Sequence, residues 1–368
     1  MRVLVAPDAF AGTLTAPEAA QAIAAGWLRR SPDDDITAVP MSDGGPGFVD
    51  VLHSSLGGDL EVITVPGPQG RATPVTLLVR DDAAYVESAQ ACGHPLLDAP
   101  DPWNATSAGV GEAVATAVEA GATTVVVGLG GSATNDGGAG LLGALGATAD
   151  VPLDRGPAGL RGVTTVDLAS ARERLGGVTL VAATDVDTML LGMFGATKTF
   201  GPQKGLSEED VLVVDRILDE LVVAACGSAP ADRRVADQPG AGAAGGLGFA
   251  LMLLGARTRS GVELVRDAVG LPAQAAEHEL VVSGEGTYDH QSRSGKVVHG
   301  VAATAAAAAR PCIVLAGQVT VGSREMRAMG VESAYAAADL VGLEASLADP
   351  RESLEALAER VARTWSPH

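Results

Sequence analysis

Cysteine is scarce in this chain: Cys92, Cys226 and Cys312 stand far apart in 368 residues, with no C-x-x-C pair. That excludes a disulfide framework, and three buried small side chains are expected instead. His53, His94, His278, His290 and His299 show no ligand spacing, so no zinc site is expected. No apolar run reaches the length of a membrane span, and no basic segment leads into an apolar one at the start of the sequence. The expectation is a cytoplasmic protein without membrane contact. Basic charge is short as well, with 25 Lys and Arg against 45 Asp and Glu for a net charge of −20. Nucleic acid and anionic membranes, which need a basic face, are therefore not expected partners. A small anionic ligand is still allowed, because the field inside one cleft can oppose the global one.

Lysine is the scarcest charge. Of the 25 basic residues only Lys198, Lys204 and Lys296 are lysines, and they fall in two glycine-containing loops, T-K-T-F-G-P-Q-K-G and S-R-S-G-K. Chemistry that needs a compact ammonium instead of a planar guanidinium would keep lysine there, above all at Lys204 and Lys296. A Walker loop is absent: Gly295-Lys296 has His290 where the first glycine belongs and is followed by Val297.

What the chain does have is glycine, concentrated in one stretch. A β-branched run, Thr123–Val127, reads as a buried strand and empties into Val127–Gly146, which holds eight glycines and one acid, Asp136. Such a loop suits close approach of a phosphate to the backbone, with Gly130, Gly131, Ser132 and Asp136 as the candidates. The alternative is a tight strand-to-helix turn whose small residues pack against a neighbour. A second cluster, Gly240–Gly248, offers Gly242, Gly245 and Gly246 in the same role. A dinucleotide fingerprint at Gly128-x-Gly130-x-x-Ala133 fails in context, because Asn135–Gly138 would break the helix that should follow.

Taken in order, the chain opens with a strand at Arg2–Ala6 and the loop Pro7-Asp8. A helix follows, with a Thr15-x-x-Glu18 capping box, Pro17 in its first turn and a stripe of Ala19, Ile23 and Trp27. A strand at Ile36–Met41 then leads to Asp43. This rhythm is that of a parallel α/β sheet, whose strand C-termini host ligands, which makes Asp8 and Asp43 candidate ligand-binding residues or else helix caps. From Leu60 the texture turns to hairpins at Leu60–Val65, Thr73–Val79 and Ala84–Glu87. A strand at Val178–Ala183 ends in Asp185 and Asp187, an i, i+2 pair able to meet one divalent cation. A last strand, Glu279–Ser283, opens onto Glu285 and Asp289, and the βαβ rhythm returns. Residues 1–60 plus 275–368 thus read as one α/β domain and 61–274 as a second that carries the glycine loops. Carboxylates at strand ends, ammonium groups and glycine nests together are the inventory of phosphoryl transfer.

Several motifs closely resemble those of the bacterial type 1 glycerate kinases. They are P-D-A-F at 7–10, S-D-G-G at 42–45, G-G-S-A-T-N-D-G-G at 130–138, D-V-D at 185–187, F-G-P-Q-K-G at 200–205, G-A-G-A-A-G-G-L-G at 240–248, and S-G-E-G-x-x-D with G-K at 283–296. The resemblance covers nearly the whole chain in the same order. It implies a Rossmann-like parallel-sheet domain and an inserted mixed α/β domain with the active site in the cleft between them. It also implies ATP and Mg2+ as cofactors and phosphorylation of D-glycerate, a small anionic hydroxy acid, with a homodimer as one assembly to test. On that reading Asp185 and Asp187 hold metal or activate the hydroxyl. Lys204 and Lys296 neutralise phosphate or the substrate carboxylate, Glu285 and Asp289 are further metal ligands, and the glycine loops hold the nucleotide. The chain departs from its relatives at Ala11, Pro46 and Thr287, where the family carries lysine, glutamate and arginine. The three missing charges raise the alternative of a catalytically weak relative that binds nucleotide or metabolite in a regulatory role.

Overall fold

A computed structural model describes residues 1–10, 12–289 and 297–366. The chain divides into two compact units, one of Met1–Asp43, Asp50–Gly57 and Ser260–His368, the other of Gly44–Val49 and Gly58–Arg259. Among the described residues the strands are, in chain order, β1 (Arg2–Val5), β2 (Asp35–Ala38), β3 (Asp59–Pro66), β4 (Ala72–Arg80), β5 (Ala83–Glu87), β6 (Thr124–Gly128) and β7 (Thr148–Ala149). They continue with β8 (Val166–Asp167), β9 (Thr179–Ala183), β10 (Arg257–Arg259), β11 (Leu280–Tyr288), β12 (Cys312–Val319) and β13 (Ser333–Ala336). The fold is mixed α/β, with one all-parallel sheet and one mixed sheet.

The first unit is built on the parallel sheet β13-β12-β11-β1-β2. β1 lies inside it, and Val3, Leu4 and Val5 are wholly buried, as a strand covered on both faces requires. The helix Ala16–Arg30 starts at the Thr15 capping box and buries Ala19, Ile23 and Trp27. It lies so close to the C-terminal helix Pro350–Trp365 that a Cβ on Gly26 would stand 2.0 Å from the Glu355 carbonyl. The indole N–H of Trp27 donates to Asp34 at 2.8 Å, and Arg29 pairs with Glu355.

Two strands differ in length from the sequence reading. β2 stops at Ala38 instead of Met41, although the Val39 and Met41 N–H groups still donate to the Val5 and Pro7 carbonyls at 2.8 and 2.9 Å. β11 runs on through Tyr288, so Glu285 belongs to a strand where a loop was expected. Its partner register continues through Gly284↔Leu315 and Glu285↔Ala316, and Gly284 permits this because a Cβ there would meet the Leu315 carbonyl at 2.4 Å.

The second unit carries the six-stranded sheet β10-β9-β6-β5-β4-β3 and the small pair β7-β8. β3, β4 and β5 are the antiparallel hairpins, and β5, β6, β9 and β10 run parallel. The helix Glu208–Cys226 begins where Ser207 accepts from the Asp210 N–H, with three acids in its first turn. Its buried stripe of Val211, Val214, Leu218, Leu221 and Val222 joins the core under the sheet.

Candidate functional site

In the first sheet the chain moves from β1 outward to β2, whereas β11, β12 and β13 proceed the other way. The reversal falls between β1 and β11, and the crevice beyond the carboxyl ends of such a strand pair is where open α/β sheets bind ligands. Two hydrogen bonds fix that junction: the Asp8 N–H donates to the Gly284 carbonyl at 2.8 Å, and Ser283 Oγ donates to the Ala6 carbonyl at 3.0 Å. A cavity of ≈ 340 Å³ opens there. Asp8, Asp43, Glu285 and Asp289 all line it, so four of the acids singled out from sequence share one cavity. Asp8 Oδ1 accepts from the Ala9 N–H at 2.7 Å, and Glu285 is buried. Tyr288, wholly buried, has its phenol pushed up by burial and by the neighbouring Glu285 charge. Thr287, at the position of the family arginine, also lines the cavity.

Sequence reasoning gave no role to the rest of the lining, which includes Phe10, Gln318, Leu343 and Leu347. Phe10 carried a signal through its place in P-D-A-F. The two leucines carried only an i, i+4 spacing, which reads as ordinary helix packing.

The second unit holds a different cluster. Asp136 is completely buried. Its Oδ2 accepts from Ser107 N at 2.8 Å, Ser107 Oγ at 2.7 Å and Gly140 N at 3.2 Å, and its Oδ1 accepts from Gly138 N at 3.0 Å. Burial pushes this carboxyl up, against the pull of those four donors. The side chain thus ties the starts of the helices Ala108–Glu119 and Ala139–Ala144 together and presents no surface to a ligand. Lys204 is 4% exposed, and its Nζ donates to the Thr134 carbonyl at 2.6 Å and to Ser132 Oγ at 3.2 Å. Burial lowers its ammonium to about 8, with the Cys92 and Asp136 charges opposing the fall. The same burial pushes the Cys92 thiol up to about 12, and burial with the Lys204 charge lowers His94.

The glycines of the two loops face protein. A Cβ on Gly245 would stand 1.9 Å from the Thr134 carbonyl, on Gly246 2.5 Å from Gly137, and on Gly242 2.3 Å from the Met189 carbonyl. A Cβ on Gly130 would stand 2.7 Å from the Gly45 Cα, and one on Gly131 2.8 Å from the Pro46 ring. Gly137 N–H donates to the Gly245 carbonyl at 3.0 Å, so the two glycine stretches are stitched to each other. Their small size is explained by close packing, the alternative that the sequence had left open.

Asp185 is half-buried just beyond β9, and Asp187 is exposed. Lys198 forms an ion pair with Asp215 at 2.8 Å. Lys296 and Ala11 lie outside the described residues. Among the described residues no three His, Cys, Asp or Glu side chains are grouped so as to hold a metal ion, and no helix is long and apolar enough to cross a membrane.

Comparison with known proteins places the chain. The sequence profile of the Glycerate kinase family matches residues 3–366. Glycerate 2-kinase of Escherichia coli is 37% identical over 351 residues, covering 93% of this chain and 92% of its own. Glycerate kinase of Bacillus subtilis is 35% identical over 375 residues, covering 99% and 96%. A crystal structure assigned as a glycerate kinase 2, from Salmonella typhimurium LT2, superposes with a TM-score of 0.81 at 34% identity, covering 100% of this chain and 98% of that one. The chain belongs to the glycerate kinase family and is a kinase, a phosphotransferase with an alcohol group as acceptor.

Proposed function

We propose that this kinase transfers the γ-phosphoryl group of ATP, with Mg2+, to a hydroxyl of D-glycerate or of a closely related small hydroxy acid. The observation that carries the reading is the gathering of Asp8, Asp43, Glu285 and Asp289 around one cavity at the reversal point of a parallel sheet. Carboxylate oxygens are hard ligands that suit Mg2+. That ion commonly takes one or two protein carboxylates together with water and phosphate oxygens, so a closed set of three protein ligands is not required. Glu285 and Asp289 would hold it. When bound, it neutralises phosphate oxygens.

The remaining roles fall to the protein's own groups. Asp8 and Asp43 accept hydrogen bonds from the hydroxyls of the acceptor. Asp185 takes the proton of the attacking hydroxyl, the oxygen bonds to phosphorus, and the bond from phosphorus to the departing ADP breaks. Asp187 is the second carboxylate of the same loop. Lys204 acts by position: it holds the carbonyl of Thr134 and the hydroxyl of Ser132, and so fixes the course of the Gly130–Asp136 loop. Asp136 is assigned to the framework of that loop, and the five glycines to its packing.

ADP release coupled to D-glycerate tests the reading. The wild type should turn over, and Asp185→Asn should lose about 10²–10⁴-fold in kcat, the usual worth of a general base. Tight nucleotide binding with no turnover on any of a panel of hydroxy acids would replace it with the regulatory alternative raised by Ala11, Pro46 and Thr287.

A further inference from the structure

The cavity of the first unit changes chemistry from one flank to the other. Across the sheet the order is β12, β11, β1, β2. Asp8 and Asp43 follow β1 and β2, and Glu285 and Asp289 belong to β11 and its end. The lining also takes in Gln318 of β12 and the short helix Leu343–Ala348, which packs against β12. Leu343 and Leu347 of that helix line the cavity and yet remain 47% and 56% exposed. Phe10, buried, closes the inner side with its ring 3.4 Å from where a Gly284 Cβ would stand. The lining thus combines an apolar part at Leu343, Leu347 and Phe10, the Gln318 amide, and carboxylates beyond β1, β2 and β11.

A three-carbon hydroxy acid has no use for the apolar flank. It has no hydrophobic face to cover two leucines, and it would leave most of ≈ 340 Å³ empty. Large aliphatic side chains exposed inside a concave site are covered by an apolar ligand surface, and sites of roughly 300–1,000 Å³ are the usual size for molecules larger than that acid. A nucleoside triphosphate has the matching parts: a flat ring, a sugar with hydroxyl donors, then phosphates that carry the metal.

We propose that the β12 flank of this cavity holds the nucleoside end of the phosphoryl donor. The base lies against Leu343 and Leu347, the Gln318 amide serves the base edge or the sugar, and the phosphate chain runs over β11 toward Asp8 and Asp43. The identity of the ligand as a nucleoside triphosphate rests on the phosphoryl-transfer reading above. The location differs from the glycine loops, whose space protein already fills.

The test uses the full chain with Leu347→Asp, a substitution at an exposed position that should leave the melting curve by circular dichroism unchanged. Calorimetric titration with ADP and Mg2+ should show affinity falling about tenfold or more, because a charge then faces the ring. The KM for ATP should rise with it, while the KM for D-glycerate stays within about twofold. Should the variant melt early, Leu347→Ala is read instead, with a loss of about threefold in ADP affinity for the contact removed. Unchanged ADP affinity, or a loss confined to the KM for D-glycerate, overturns the proposal and leaves the kinase reading intact. Wild type that binds ADP, loses it in Leu347→Asp, and phosphorylates no hydroxy acid sinks the hydroxy-acid reading and supports this one.

Discussion

Asp136 and Lys204 show how two residues that stand out in sequence can carry structural work that the sequence does not display. An acid in a run of glycines and one of three lysines in the chain both stand out by composition. What composition does not contain is the demand of two buried helix starts for an acceptor, which Asp136 meets with four hydrogen bonds. Lys204 in turn serves a carbonyl and a hydroxyl inside the same loop. Its burial has a measurable consequence. The ammonium is lowered in the folded chain to about 8 from an ordinary 10.5, so between those values the unfolded chain holds more protons than the folded one. Stability contributed at this position therefore rises with pH across that window, by a figure on the order of 3 kcal/mol. Urea melts of wild type and Lys204→Met from pH 7.5 to 10.5 should show the difference in unfolding free energy moving toward the wild type as pH rises. A difference that does not move with pH would mean that the ammonium keeps its ordinary proton affinity.

At the scale of elements, the contact between the two glycine stretches makes the sharpest prediction. Gly245 has φ +70 and its missing Cβ would lie 1.9 Å from the Thr134 carbonyl, an atom that cannot rotate away. Gly245→Ala should lower the unfolding free energy by about 3 kcal/mol or more, with or without nucleotide. A substitution that instead spares stability and weakens ADP binding would return these glycines to the ligand. The elements themselves were legible wherever local chemistry decides them. The Thr15 capping box, the Ser207 start and the β3–β4–β5 hairpins follow from caps, periodicity and turn residues within a few positions of one another. Legibility failed where a partner strand decides. Nothing local says that G-E-G-T-Y continues a strand; the continuation depends on β12 lying close enough to exclude any side chain at residue 284. The same holds for the site. Asp8, Asp43, Glu285 and Asp289 were marked by their place after strands, but Leu343 and Leu347 enter the cavity only because distant segments bring them there.

For the whole molecule, the two units have separate cores. One is built from Val3, Ile23, Trp27, Val282, Leu315 and Leu357 with their neighbours, the other from Leu77, Val86, Val127, Leu141, Leu218 and Phe249 with theirs. The helix Gly261–Ala268, read from sequence as part of the second domain, groups with the first unit, where Val262 fills the space beside Gly300 and a Cβ on that glycine would stand 2.4 Å away. Separate cores predict separate cooperativity, so scanning calorimetry should give a measured enthalpy larger than the van't Hoff value of either transition. A ligand stabilises only the state that binds it, by about 2.7 kcal/mol at a hundredfold excess over Kd. ADP with Mg2+ should accordingly raise the transition in which the β1 and β11 amides become exchangeable and leave the transition of β6 and β9 in place. Hydrogen exchange read by mass spectrometry assigns each transition to its strands. If nucleotide protects β6 and β9 while β1 and β11 exchange as before, the donor binds in the second unit and the cavity at the Asp8–Glu285 junction has another occupant.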